Sequence, residues 1–227
     1  MCGRYTITKQ KKDIENQFDV ELDENIYKIN YNAAPTQKLP VITNDQLDKV
    51  NFLKWGLVPY WAKDESIGNK MINARIETIT DKPAYKQAIH KRRCMVITDG
   101  YYEWMQSGGK KYPYYIHHSD KQILYFAGLW DEWMDNNRNK WKTCAIITTK
   151  ANEEIQYIHN RMPVILTYDE AMIFMEEKKE LFVKKNFIST IEDDLNFYPV
   201  SNYVNSPLND SNICIKPIKI KEYELDI

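Results

Sequence analysis

The chain has 227 residues, 43% of them hydrophobic and 28% charged, ordinary values for a globular protein and enough for one large domain or two small ones. Its 31 Lys+Arg against 32 Asp+Glu give a formal net charge of −1, which excludes an all-over basic nucleic-acid binder but leaves room for a local basic groove. No run approaches the roughly 18 apolar residues of a membrane span. The opening MCGRYTITKQKK has no apolar signal-peptide core, so a cytoplasmic protein with no membrane partner is expected.

In chain order, residues 9–18 follow Thr8, a residue type that caps helices, and are predicted helical. Asn32-Ala-Ala-Pro-Thr36 reads as a turn. Residues 49–55 form the first candidate strand. The stretch Trp55-Gly-Leu-Val-Pro-Tyr-Trp61 reads as a rigid aromatic loop. Such a loop can stack unpaired bases, although core packing is the commoner use of an isolated Trp. Residues 82–91 follow Asp81 and are predicted helical, with Lys86, Lys91, Arg92 and Arg93 read as a solvated basic face. Residues 93–98, 112–117, 123–129 and 142–149 are further candidate strands, rich in Val, Ile, Tyr, Phe and Thr. Gly108-Gly109 and the cluster from Asp135 to Asn139 mark hairpin connections. Residues 152–159 and 168–177 are predicted helices, and Glu176, Glu177 and Glu180 read as a solvated acidic face. The hairpins with irregularly interspersed helices predict an α+β fold: a single domain over residues 1–227 with a mostly antiparallel, barrel-like sheet core and peripheral helices.

Cys2, Cys94, Cys144 and Cys214 are scattered without a CxxC pair, so neither a structural zinc nor any other metal is expected. Cys94, Cys144 and Cys214 lie in apolar strand-like contexts and are expected to be buried small hydrophobes. Cys2 differs by its position. Once Met1 is removed, its α-amine and thiol sit on adjacent carbons. That amine, with a pKa near 7.7–8.0, is partly neutral at physiological pH and forms a Schiff base with an aldehyde. The thiol can then close a five-membered thiazolidine.

Other polar residues sit in patterns over-specified for packing. Asn73-Ala-Arg-Ile-Glu-Thr78 places an amide and a guanidinium on one face if extended. Gly100-Tyr-Tyr-Glu-Trp104 sets Glu103 among aromatics, where desolvation raises a carboxyl pKa towards acid–base use; the bland alternative is an exposed Glu on an alternating strand. His159-Asn-Arg-Met-Pro163 offers an imidazole and a second guanidinium. A lone His is more often structural than catalytic.

Taken together, Met1-Cys-Gly-Arg-Tyr5, the 32–36, 55–61, 73–78 and 100–104 segments, Phe126-Ala-Gly-Leu-Trp130, Thr148-Thr-Lys-Ala-Asn152, the run from His159 to Leu166 and Tyr198-Pro-Val-Ser201 resemble the SRAP family of abasic-site processing proteins. The resemblance spans essentially the whole chain in order. It implies a cofactor-free protein that binds single-stranded DNA carrying an abasic site, often at a single-strand/double-strand junction. Cys2 would capture the open-chain aldehyde of the lesion as a thiazolidine crosslink, with weak lyase activity from the Schiff base. Cys2, Asn73, Glu103 and His159 match the family's catalytic residues, and Arg75 and Arg161 its phosphate-gripping arginines. Arg4, Asn32 and Trp61 are expected to line the same groove. Two departures stand out: Asn160 where an Asp is expected, and Ala62 where some relatives carry a second Trp. The expected form is a monomer, nucleoid-associated when bound to DNA. Two other readings remain open at this point, a Cys2-dependent thiol peptidase and a non-covalent single-strand binding module.

Overall fold

A computed structural model describes residues 2–20, 22, 26–176 and 194–219. Glu177 and Glu180 of the acidic stretch lie outside them. The elements are β1 (Arg4–Ile7), α1 (Lys11–Phe18), β2 (Asn30–Ala33), β3 (Lys38–Thr43), β4 (Gln46–Trp55), β5 (Asn73–Arg75), α2 (Pro83–Lys86), α3 (Ala88–Lys91) and β6 (Arg93–Thr98). There follow β7 (Gly100–Ser107), β8 (Lys110–His118), β9 (Leu124–Met134), β10 (Lys140–Lys150), β11 (Arg161–Pro163), β12 (Ile165–Leu166), α4 (Tyr168–Glu176) and β13 (Leu195–Pro199). The fold is α+β.

The barrel closes because β10 pairs on both sides. It runs antiparallel to β9 and parallel to β4, and β4, β3, β6 and β9 complete the ring through antiparallel pairs. Closure leaves these strands no free edge. Strand β6 is buried at every position, as expected when one face lines the barrel and the other is covered. Gly128 sits where the wall is tightest, since a Cβ there would lie 2.8 Å from Cys94 Sγ and 3.1 Å from the Ala145 carbonyl oxygen. A second sheet, ordered β13-β8-β7-β1-β2, packs beside the ring. The two meet at Asp99, whose buried carboxylate accepts from the Thr6 hydroxyl and from Thr8 N and Oγ1.

Several expectations shift. Thr8 spends its side chain on Asp99, so α1 starts later, with the Gln10 N–H donating to Asp13 Oδ2 at 3.1 Å. Residues 82–91 split into α2 and α3 at Gln87. Residues 152–159 form hydrogen-bonded turns rather than a helix; Asn152 Oδ1 takes the Ile155 N–H and the segment ends in a bend before β11. Residues 32–36 begin as strand β2 before turning, with Thr36 at φ 77. The basic run is not a solvated face at Arg93. That guanidinium is buried and donates to the carbonyls of Ile89, His90, Phe174 and Met175, closing the C-terminal ends of α3 and α4. Both hairpins form as expected, with Gly108 and Gly109 at positive φ and Asp135 Oδ1 accepting from Asn137 N and Asn139 N. All four cysteines are buried and unpaired as disulfides. No helix among the described residues is long and apolar enough to cross a membrane.

Candidate active site and nucleic-acid interface

The site forms where the second sheet meets the barrel. Arg4 pairs with Tyr102 in the β1–β7 register, so the chain reaches Cys2 alongside Glu103. On the barrel side, β5 pairs parallel with β10, Asn73 opposite Ile146 and Arg75 opposite Thr148. Alternation buries Ala74 and turns Asn73 and Arg75 to the same face. Asn73 Nδ2 donates to the Cys2 carbonyl oxygen at 2.8 Å. The Tyr85 hydroxyl donates to the Asn73 carbonyl oxygen at 3.1 Å, holding the strand in place. Asn73 Oδ1 is buried and accepts no hydrogen bond among the described residues, leaving an acceptor next to Cys2.

Glu103 is 2% exposed and lies on β7. Burial pushes its carboxyl up to about 7, so both protonation states are accessible near neutrality. Cys2 is fully buried; desolvation, and then the Glu103 charge, push its thiol well above its ordinary value. His159 is partly exposed, with Nδ1 4.0 Å from Glu103 Oε2. Desolvation lowers its pKa, so the ring is neutral at physiological pH. Thus Cys2, Asn73, Glu103 and His159, far apart in sequence, lie together. Among the described residues no cluster of three or more His, Cys, Asp or Glu could hold a metal ion.

The five groove residues divide. Arg75 is exposed on the Asn73 face. Trp61 is 48% exposed beside Tyr60, on a loop held by Val58 N on Thr143 Oγ1, Tyr60 N on Asp131 Oδ2 and Trp133 Nε1 on the Ala62 carbonyl. Trp55, in the same sequence motif, is a core residue whose Nε1 donates to Ile72 O. Arg4 and Asn32 bind the chain itself. Arg4 Nη1 donates to Asn32 Oδ1 (2.7 Å) and Val204 O (3.0 Å), while Asn32 Nδ2 is shared among Val204, Ser206 and Asn209 carbonyls. Arg161 is occupied by Glu77 and Thr148.

Sequence reasoning passes over Glu77, Tyr85, Asp131 and Thr148. Glu77 and Thr148 carry a signal, lying inside the 73–78 and 148–152 motifs. Asn160 is exposed, and the carboxylate partner of Arg161 comes from Glu77 instead.

A barrel with an attached sheet and this Cys–Asn–Glu–His grouping is the architecture of one class: the chain belongs to the SOS response associated peptidase (SRAP) family, whose pattern matches residues 1–207. It is 41% identical over 217 residues to the abasic site processing protein YoaM of Bacillus subtilis, covering 93% of this chain and 96% of that one. It is 33% identical over 232 residues to the abasic site processing protein HMCES of Gallus gallus, covering 88% of this chain and 69% of that one. A crystal structure of a protein from Bacteroides thetaiotaomicron superimposes with a TM-score of 0.87 at 27% identity, covering 96% of this chain and 100% of that one.

Proposed function

We propose that this protein processes abasic sites in single-stranded DNA by covalent capture through Cys2. The reading is supported above all by the convergence on Cys2 of an amide that holds its carbonyl, Asn73, and a buried carboxyl poised near neutrality, Glu103. After hydrolytic removal of Met1, the Cys2 amine adds to the lesion's aldehyde and water leaves, giving the Schiff base. The thiol then adds to the carbon of the protonated Schiff base and its proton passes to the Glu103 carboxylate, closing the thiazolidine with its ring N–H in place. A thiol that stays protonated suits this sequence, because it needs a base only at ring closure. The same burial disfavours a thiol peptidase, which needs a thiolate. His159, neutral and next to Glu103, assists opening of the sugar ring and takes part in proton transfer to its oxygen. Elimination of the 3′ phosphate at the Schiff-base stage accounts for a minor lyase activity. Arg75 and the Tyr60–Trp61 loop supply phosphate and base contacts.

The test uses protein whose N-terminus is established by mass spectrometry, mixed with a single-stranded oligonucleotide carrying one abasic site. On a denaturing gel, a shifted band that survives heat without borohydride and vanishes in Cys2→Ala is the expected result. A band seen only after borohydride trapping would mean a transient imine and a lyase. No band from protein beginning at Cys2 would overturn covalent capture.

A further inference from the structure

Arg161 is the residue whose environment departs furthest from its expected role. Its Nη1 and Nη2 donate to Glu77 Oε1 and Oε2 at 2.5 and 3.0 Å, and Nη2 also donates to Thr148 O at 2.6 Å. The side chain is 11% exposed, and the buried Nε has no acceptor among the described residues. Glu77 therefore fills the two-pronged position that a phosphate would need on this guanidinium. The backbone of Arg161 meanwhile holds the imidazole: its N–H donates to His159 Nδ1 at 3.0 Å. The Arg161 carbonyl oxygen lies 3.2 Å from the same Nδ1, so both backbone groups of Arg161 pin this edge of the ring.

We propose that Glu77 is a positioning residue for His159, acting through Arg161. Glu77 lies in the short 3-10 helix Ile76–Thr78 directly after β5. One short segment thus carries both the Asn73 contact to Cys2 and the Glu77 anchor of Arg161. It ties the two sides of the site together and fixes where the imidazole stands relative to Glu103. Arg161 serves as a strut between Glu77, Thr148 and His159 rather than as a free phosphate clamp. This rests on the covalent-capture reading above.

The experiment compares wild type, Glu77→Ala, Glu77→Gln, His159→Ala and the Glu77→Ala/His159→Ala double variant. Non-covalent affinity is measured with a single-stranded oligonucleotide carrying a tetrahydrofuran abasic analogue, which has no aldehyde. The single-turnover rate of adduct formation is measured with the natural abasic site at saturating protein. Glu77→Ala is expected to slow adduct formation at least tenfold while leaving analogue affinity within twofold. Glu77→Gln, which keeps an oxygen acceptor for the guanidinium, is expected to recover part of the rate, staying two- to fivefold below wild type. In the His159→Ala background, loss of Glu77 should change the rate less than twofold, because the two act through one imidazole. Should Glu77→Ala fail to fold, Glu77→Gln carries the same comparison, with its slowing disappearing in an added Glu77→Gln/His159→Ala double variant.

Tighter analogue binding by Glu77→Ala with an unchanged rate would overturn the proposal and make Glu77 a competitor of phosphate for Arg161. Multiplicative slowing in the double variant, or no change in any measurement, would overturn it too. If wild type forms no adduct, covalent capture itself fails and this role for Glu77 falls with it. If wild type does form the adduct, the Glu77 variants speak to the positioning role alone.

Discussion

Glu103 is the residue at which burial and chemistry conflict most directly. Its carboxyl, pushed from 4.5 to about 7, is favoured in the folded protein as the neutral acid. The stabilisation this brings is fully present below pH 4.5 and is lost as pH rises through about 7. Each tenfold change in proton affinity is worth about 1.4 kcal/mol, so the loss amounts to at most about 3.5 kcal/mol. Glu103→Gln does not titrate, so it should be more stable than wild type at pH 8, with the gap closing towards pH 4.5. Urea unfolding at both pH values checks this, while the same variant should form adduct slowly at every pH. Stability lost to position a reactive carboxyl is expected at a working site. Cys2 and Glu103 can be singled out from their chemistry and setting in the sequence, whereas the roles of Asn73 and His159 come from the resemblance to the family. The desolvation of Glu103 is legible too, from the aromatics around it, but the acceptor of Arg161 is not, because the two lie on segments distant in the chain.

At the scale of elements, the loop carrying Tyr60 and Trp61 owes its shape to its neighbours on β9 and β10. Asp131 accepts from Tyr60 N and Glu132 N and lies 3.4 Å from Arg92 Nε. The Arg92 guanidinium in turn sits 5.8 Å from the Tyr60 ring. Aromatic side chains held this rigidly lose little further freedom when they stack on a base. Trp61→Ala is expected to weaken single-strand binding by about 1–3 kcal/mol, the value of a stacked base. Asp131→Ala should produce a similar loss without removing any aromatic ring, and fluorescence anisotropy with an intact single strand would measure both. Unchanged affinity in both would remove the loop from the DNA path. Strands such as β6 are legible because their apolar, β-branched runs suit a doubly covered sheet. Residues 152–159 mislead because Asn152 and the approach to β11 turn a helix-like pattern into successive turns.

For the whole molecule, the Arg4–Asn32 pair fastens residues 204–209 to the start of β1 and to β2. Asn32→Ala removes the donor shared by three carbonyls and the acceptor of Arg4. Leaving those buried groups unsatisfied should cost about 2–4 kcal/mol. Chemical unfolding should register that loss, while DNA affinity of the still-folded variant stays within twofold. A large affinity loss at unchanged stability would return Arg4 and Asn32 to the groove.

By itself the sequence determined the α+β class, the hairpins at Gly108-Gly109 and Asp135–Asn139, most of the long strands and the chemical types gathered around Cys2. These follow from local propensity and from residue chemistry, which act over a few positions. Only the tertiary structure decided that β10 closes the barrel through a parallel pair with β4, that Arg4 and Asn32 bind the chain itself, and that Glu77 holds Arg161. Those outcomes depend on which distant donors and acceptors meet once water is excluded, and every buried polar group must then find its partner within the fold.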